Sequence, residues 1–153
     1  MIDPVVRVAI SADACALRGL EQTARSSVAD TRGGNRWLDE HPPIGDGWAV
    51  AIAERTVFVG TIAVDGDDVP IAYLVVDLRH DPMAIAHVDQ VFVEADAREL
   101  GFGDEMLAAA IAWGRQQGAE LIEGHALPGD RNIKNLYERA GITARLITVS
   151  KRL

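Results

Sequence analysis

Val91-Phe92-Val93-Glu94-Ala95-Asp96-Ala97-Arg98-Glu99-Leu100-Gly101-Phe102-Gly103 is the most informative stretch of the chain. Val91-Phe92-Val93 closes a predicted strand, and a helix predicted over residues 104–117 opens directly after Gly103. The first turn of a helix presents backbone N–H groups without intrahelical partners, at the positive end of the macrodipole. Gly101 and Gly103 would let a pyrophosphate approach those groups with no Cβ in its path. Arg98 adds positive charge at the same junction. Taken alone, Gly-x-Gly is also what any tight strand-to-helix turn supplies.

A dinucleotide-binding fold is the nearest rival. Its fingerprint wants a third glycine three residues after Gly103, where Met106 stands. Glu120 or Glu123 does lie at a suitable distance for a ribose contact. The strands upstream do not fit. Residues 56–65, 70–79 and 83–94 read as three strands, joined by Gly66-Asp67-Asp68 and His80-Asp81-Pro82. Turns this short join antiparallel neighbours, because a parallel connection needs a crossover.

Farther upstream, residues 5–10 read as a short strand. Ser11 or Asp13 can cap a helix with Leu17, Leu20, Ala24 and Val28 at helical spacing. Gly33-Gly34 breaks it, residues 36–40 form a second short helix, and residues 41–47 are a loop. Residues 48–55 are alanine-rich and favour helix. Downstream, the 104–117 helix carries Leu107, Ala110, Ile111 and Gly114 on one stripe and stops at Gly118. A strand over 119–127, a helix over 131–140 and a strand over 142–153 complete the chain. The expected class is α/β (α+β): one domain over residues 1–153, with a mixed, mainly antiparallel sheet and flanking helices.

The last helix holds a second motif, Pro128-Gly129-Asp130-Arg131-Asn132-Ile133-Lys134-Asn135-Leu136-Tyr137-Glu138-Arg139-Ala140-Gly141-Ile142. With it the chain resembles the GNAT superfamily of N-acetyltransferases. Arg98, Gly101 and Gly103 match that family's Arg/Gln-x-x-Gly-x-Gly/Ala cofactor motif. Leu136, Tyr137, Glu138, Arg139, Gly141 and Ile142 match its Leu-Tyr-Glu-(Arg/Lys)-x-Gly-(Phe/Ile) helix. One helix and one strand separate the two motifs, as the family requires.

The resemblance implies a sheet splayed open near its middle, with acetyl-CoA in the splay as acyl donor and no metal. The backbone of Val91, Phe92 and Val93 would hold the pantetheine arm and thioester carbonyl. Arg98, Glu99, Leu100, Gly101, Phe102, Gly103 and Asp104 would form the pyrophosphate cradle. Tyr137 would protonate the leaving thiolate, and a phenol matches a thiolate in basicity well enough to do so. Asp89 would be the base, with His87, Asp89, Val91 and Val93 on one face if the strand alternates without a bulge. His87 and His125 read as structural histidines. Where many relatives carry an Asn that touches the pantetheine, seven residues before the tyrosine, this chain has Asp130, which can serve as a helix cap; Asn132, two residues later, would be the cofactor contact in its place. Many relatives also end in two strands rather than one. Either the final strand is truncated, or a partner chain completes the edge as a homodimer.

Composition narrows the functions. The net charge is −8, which disfavours nucleic acid, whose phosphates need Lys and Arg. Cys15 is the only cysteine, and His41, His80, His87 and His125 show no ligand spacing. The N-terminus lacks the pattern of a signal peptide, and no apolar run approaches the ~20 residues of a membrane span, so a cytoplasmic protein without a membrane partner is expected. The leading reading is transfer of an acetyl group to a primary amine of a small molecule or peptide by direct attack on the thioester. The alternative is a non-catalytic acyl-CoA-binding regulatory domain. Tyr137 favours the enzyme. Residues 29–46, with Arg36 and Trp37, would contact the acceptor.

Overall fold

The computed structural model describes residues 3–80 and 82–153. Met1 and Ile2, and Asp81 in the predicted His80–Pro82 turn, lie outside the described residues. Five strands form one sheet in the order β1-β2-β3-β4-β5. They are β1 Val5–Val8, β2 Thr56–Val64, β3 Asp67–His80, β4 Ala84–Val93 and β5 Leu121–Glu123. The first four pair antiparallel in sequence order, and β5 joins β4 in parallel. The helices are α1 Ala14–Ala29, α2 Gly34–Glu40, α3 Trp48–Glu54, α4 Phe102–Gln116 and α5 Arg131–Arg139. The architecture is the expected mixed, mainly antiparallel sheet with flanking helices.

Alternation along β3 sorts the core into two layers. Ala72, Leu74 and Val76 face α4, packing with Phe102, Met106, Leu107 and Ala110 and with Leu136 and Tyr137 of α5. Tyr73 and Val75 face the other way, onto Leu17 and Leu20 of α1 and Trp48 and Ala51 of α3. The alanine-rich segment is the helix α3, because Trp48 and Ala51 are buried there at helical spacing.

Two strand expectations are corrected. The strand expected over 119–127 shrinks to the three residues of β5. Gly124, which follows, offers no side chain to pack, and the chain is already turning at Pro128 and Gly129. The strand expected over 142–153 does not form. Strand propensity expresses fit to a half-buried pleated surface. Leu146, Ile147 and Val149 have no such surface and stay 90%, 76% and 88% exposed. One helix start also moves: α4 begins at Phe102, after Gly101 takes φ +93°, a left-handed conformation that favours glycine.

Candidate functional site

The sheet opens between β4 and β5. The two strands pair only at Ile85–Leu121, Ala86–Ile122 and His87–Glu123. Among the described residues the outer edge of β4 from Val88 to Val93 has no strand partner, so its backbone groups are open to a ligand. A bulge lies at the mouth of this opening. Val76 pairs with Val88 and Val75 with Gln90, which leaves Asp89 as the extra residue. The bulge changes the alternation, as the sequence allowed. Val91 and Val93 pack toward α4, while Phe92 is buried on the α1 and α3 side. Phe92 therefore offers the opening its backbone only.

The N-terminus of α4 stands beyond the end of β4. No side chain caps it, whereas α5 is capped by Asp130, whose Oδ1 accepts from the Ile133 N–H at 3.3 Å. The first-turn donors of α4, on Phe102, Gly103 and Asp104, thus lack the partner that α5 has. Glu99 takes φ +70° and Leu100 is exposed, so the segment before the helix wraps tightly. Arg98 folds back, donating from Nε to the Val93 carbonyl at 3.2 Å. The charge of Asp104 is offset by Arg139 of α5, whose Nε lies 3.0 Å from Oδ1. This ion pair reduces the repulsion that an acidic first turn would present to a diphosphate. An anion of that kind fits an uncapped helix terminus.

Gly103 also has a packing role. A Cβ there would lie 3.1 and 3.2 Å from the two methyl carbons of Leu136. Its bareness lets α5 approach α4. Gly101 keeps the role of setting the turn.

Tyr137 reaches the same opening from α5. The residue is 7% exposed. Its hydroxyl lies against Gly124, one residue beyond β5, where any Cβ would overlap it. Burial, and then the charge of Asp130, push the phenol above its ordinary pKa. It therefore stays protonated at neutral pH. Asn132 is exposed on the first turn of α5, and Asp130 is the cap of that helix.

The opposite side of the opening holds residues the sequence did not bring together. Arg55, just after α3, donates from Nε to Asp77 at 2.9 Å and from Nη2 to Asp89 at 2.9 Å. The expected base therefore carries an ion pair. His87, two residues before Asp89, is 4% exposed, and its Nδ1 is buried with no hydrogen-bond partner among the described residues. The His125 ring meets it edge-on, with centroids 5.4 Å apart. Trp37 of α2 lies 5.4 Å from His125 and stacks on His41 at 3.6 Å. Three of the four scattered histidines thus share one wall. Local spacing carries no signal for this, because they come from three separate segments. Among the described residues no group of three or more His, Cys, Asp or Glu side chains is arranged to hold a metal ion. Arg36, expected near the acceptor, instead pairs with Glu40 at 2.7 Å on the exposed side of α2.

The wall is tied to the sheet by Glu21 of α1, which is 1% exposed. Its carboxylate accepts from the backbone of Ile44 at 3.0 Å and Gly45 at 2.8 Å, from Trp48 Nε1 at 3.2 Å and from Gln90 Nε2 at 2.9 Å. Gln90 Oε1 in turn accepts from the Tyr73 hydroxyl at 2.8 Å. The residue next to the bulge is thereby fixed from α1.

Solved structures share this fold. The tetramutant of the BH1408 protein from Bacillus halodurans matches with TM-score 0.77 at 20% identity, covering 97% of this chain and 99% of that one. An aminoglycoside N-acetyltransferase, AAC(6')-Iy in complex with CoA, matches with TM-score 0.63 at 21% identity, covering 97% and 100%. A putative acetyl transferase from Pyrococcus furiosus matches with TM-score 0.65 at 17% identity, covering 98% and 99%. At these identities the likeness is one of fold. No curated protein matches the sequence. The profile of the acetyltransferase (GNAT) family, however, matches residues 20–142, a span that holds the bulged strand, the uncapped helix and the tyrosine alike, and the chain belongs to that family.

Proposed function

We propose that the protein is an acetyl-CoA-dependent N-acetyltransferase that moves the acetyl group to a primary amine by direct attack on the thioester. One observation carries this reading: the unpaired edge of β4, the uncapped start of α4 and the Tyr137 hydroxyl converge on one opening. The donor supplies the activated acetyl thioester. Backbone groups of Val91, Phe92 and Val93 would hold its pantetheine arm, and those of Glu99 to Asp104 its pyrophosphate. Arg98 braces the end of β4 and adds positive charge there, and Asn132 stands on the neighbouring turn of α5. Tyr137 keeps its proton for the departing thiolate. Backbone donors aimed at the carbonyl would stabilise the developing oxyanion.

The acceptor is a small molecule or peptide amine, taken from the side of Trp37 and His125. An aminoglycoside belongs in the first panel of acceptors because of the AAC(6')-Iy likeness. No helix among the described residues is long and apolar enough to cross a membrane, in keeping with a cytoplasmic setting. The free edge of β5 leaves room for a partner strand, so a homodimer is part of the reading. Thiol release from acetyl-CoA across amino acids, aminoglycosides and peptide N-termini tests the activity. Acetyl-CoA at about 100 times its Kd should add roughly 2.7 kcal/mol of stability. Tyr137→Phe should keep that gain while kcat falls about 10- to 1,000-fold. A folded protein with no melting shift at millimolar acetyl-CoA would sink the reading.

A further inference from the structure

We propose that His87 is the group that accepts the proton lost by the attacking amine, in place of the carboxylate at Asp89. The inference rests on the acetyltransferase reading and adds a catalytic residue to it.

Three observations lead to His87. The first is position. His87 and Glu123 form the last residue pair before β4 and β5 part. The Tyr137 hydroxyl lies against Gly124, the next residue along. His87 shares its sheet face with Asp77, its partner across β3, and Tyr137 approaches from the α4 and α5 side. The two side chains therefore flank the mouth of the opening from opposite faces. That is the arrangement needed to take a proton from the nucleophile and give one to the leaving group.

The second is competition. Asp89 lies near the same mouth, but Arg55 holds its Oδ2 at 2.9 Å. That oxygen is already taken up in holding Arg55 and is not free to meet the amine. Asp89 then acts as a positioning residue: with Asp77 it anchors Arg55 beside the bulge.

The third is the orphaned nitrogen. Buried polar atoms nearly always find partners, and an exception calls for a reason. Among the described residues His87 Nδ1 has none, which leaves that nitrogen untied to a fixed donor or acceptor. The charged groups that act on the ring are Arg79 on β3, His125 beyond β5, Asp89 on β4 and Glu123 on β5; Asp77 is its cross-strand partner, and Arg55 pairs with Asp77 and Asp89. Burial first, then Arg79 and His125, lower its pKa, against the opposing pull of Asp89 and Glu123. The imidazole is consequently neutral at neutral pH and able to accept a proton.

The nitrogen of the neutral amine bonds to the thioester carbonyl carbon, and that nitrogen's proton passes to His87. The carbon–sulfur bond breaks, and the thiolate takes the Tyr137 proton. His87 releases its proton to water on the side of the exposed His125, and Tyr137 regains one from water.

The test is kcat against pH for the wild type, His87→Gln and Asp89→Asn, using acetyl-CoA and a primary amine that responds in the panel. Calorimetry with acetyl-CoA runs beside it. In the wild type, kcat should fall on the acid side through one ionisation at or below the ordinary histidine value of about 6.5. His87→Gln should lose about 100-fold or more in kcat together with that acid limb, while binding acetyl-CoA as the wild type does. Asp89→Asn should keep the limb. A His87→Gln variant within twofold of wild-type kcat with the limb intact overturns the proposal. So does loss of the limb in Asp89→Asn alone. If His87→Gln does not fold, NMR titration of the His87 ring in the wild type decides: its midpoint should coincide with the kinetic limb, and a mismatch overturns the assignment. Wild-type protein that neither binds acetyl-CoA nor releases thiol defeats the acetyltransferase reading itself, whereas intact binding and turnover with an indifferent His87 defeats this step alone.

Discussion

On the face covered by α4 and α5, the sheet is sealed by apolar side chains and close helix contacts: Phe102, Met106, Leu107 and Ala110 are all fully buried. On the face covered by α1 and α3, a carboxylate lies in the core, bonded to two backbone N–H groups, an indole and an amide. The first face carries the proposed donor site and needs a rigid backbone, so that β4 and the start of α4 stay in register. The second carries the proposed acceptor wall and must hold polar groups near the bulge. A buried polar network gives such placement, with a high cost if any member is lost.

The sharpest way to break this contrast is Glu21→Ala. Four donors would lose their acceptor within the core, and the expected loss is about 3–5 kcal/mol. Urea unfolding would measure it. A loss below about 1 kcal/mol would mean that the network does not hold the second face.

Gly103→Val probes the first face by overpacking. Its side chain would press on Leu136, and about 1–3 kcal/mol should be lost. The expected cause of that loss is contact with Leu136, so Leu136→Ala should be non-additive with it. A double variant costing less than the sum of the singles, by melting curves, supports the contact. Strict additivity, with acetyl-CoA affinity as the main casualty, would leave Gly103 with the cradle role alone.

The smallest effect is expected beyond both faces. Ile147→Asp should change stability by no more than about 0.5 kcal/mol, as for an exposed site. A markedly larger loss would show that residues 142–153 pair as a strand after all.

Both motifs were legible from the sequence because they are local. The turn at Gly101 and the cap at Asp130 depend on neighbours a few residues away, and the meander is announced by short turns. The Tyr137 helix was legible for the same reason, from Ile133, Leu136 and Tyr137 on one stripe. The two failures at the end of the chain share a cause. Val, Ile and Leu in 119–127 and 142–153 signal strand propensity, but a strand also needs an edge to pair with and a face to bury.

Chain order and local chemistry therefore determined the sheet's first four strands, the helix that opens at the glycines and the helix that carries Tyr137. Tertiary structure decided what those elements meet. It set Leu136 against Gly103, drew Asp89 onto Arg55, and gathered His87, His125, Trp37 and His41 from distant segments into one wall. Contacts between residues tens of positions apart depend on how elements pack, and no local pattern in a single sequence records that packing.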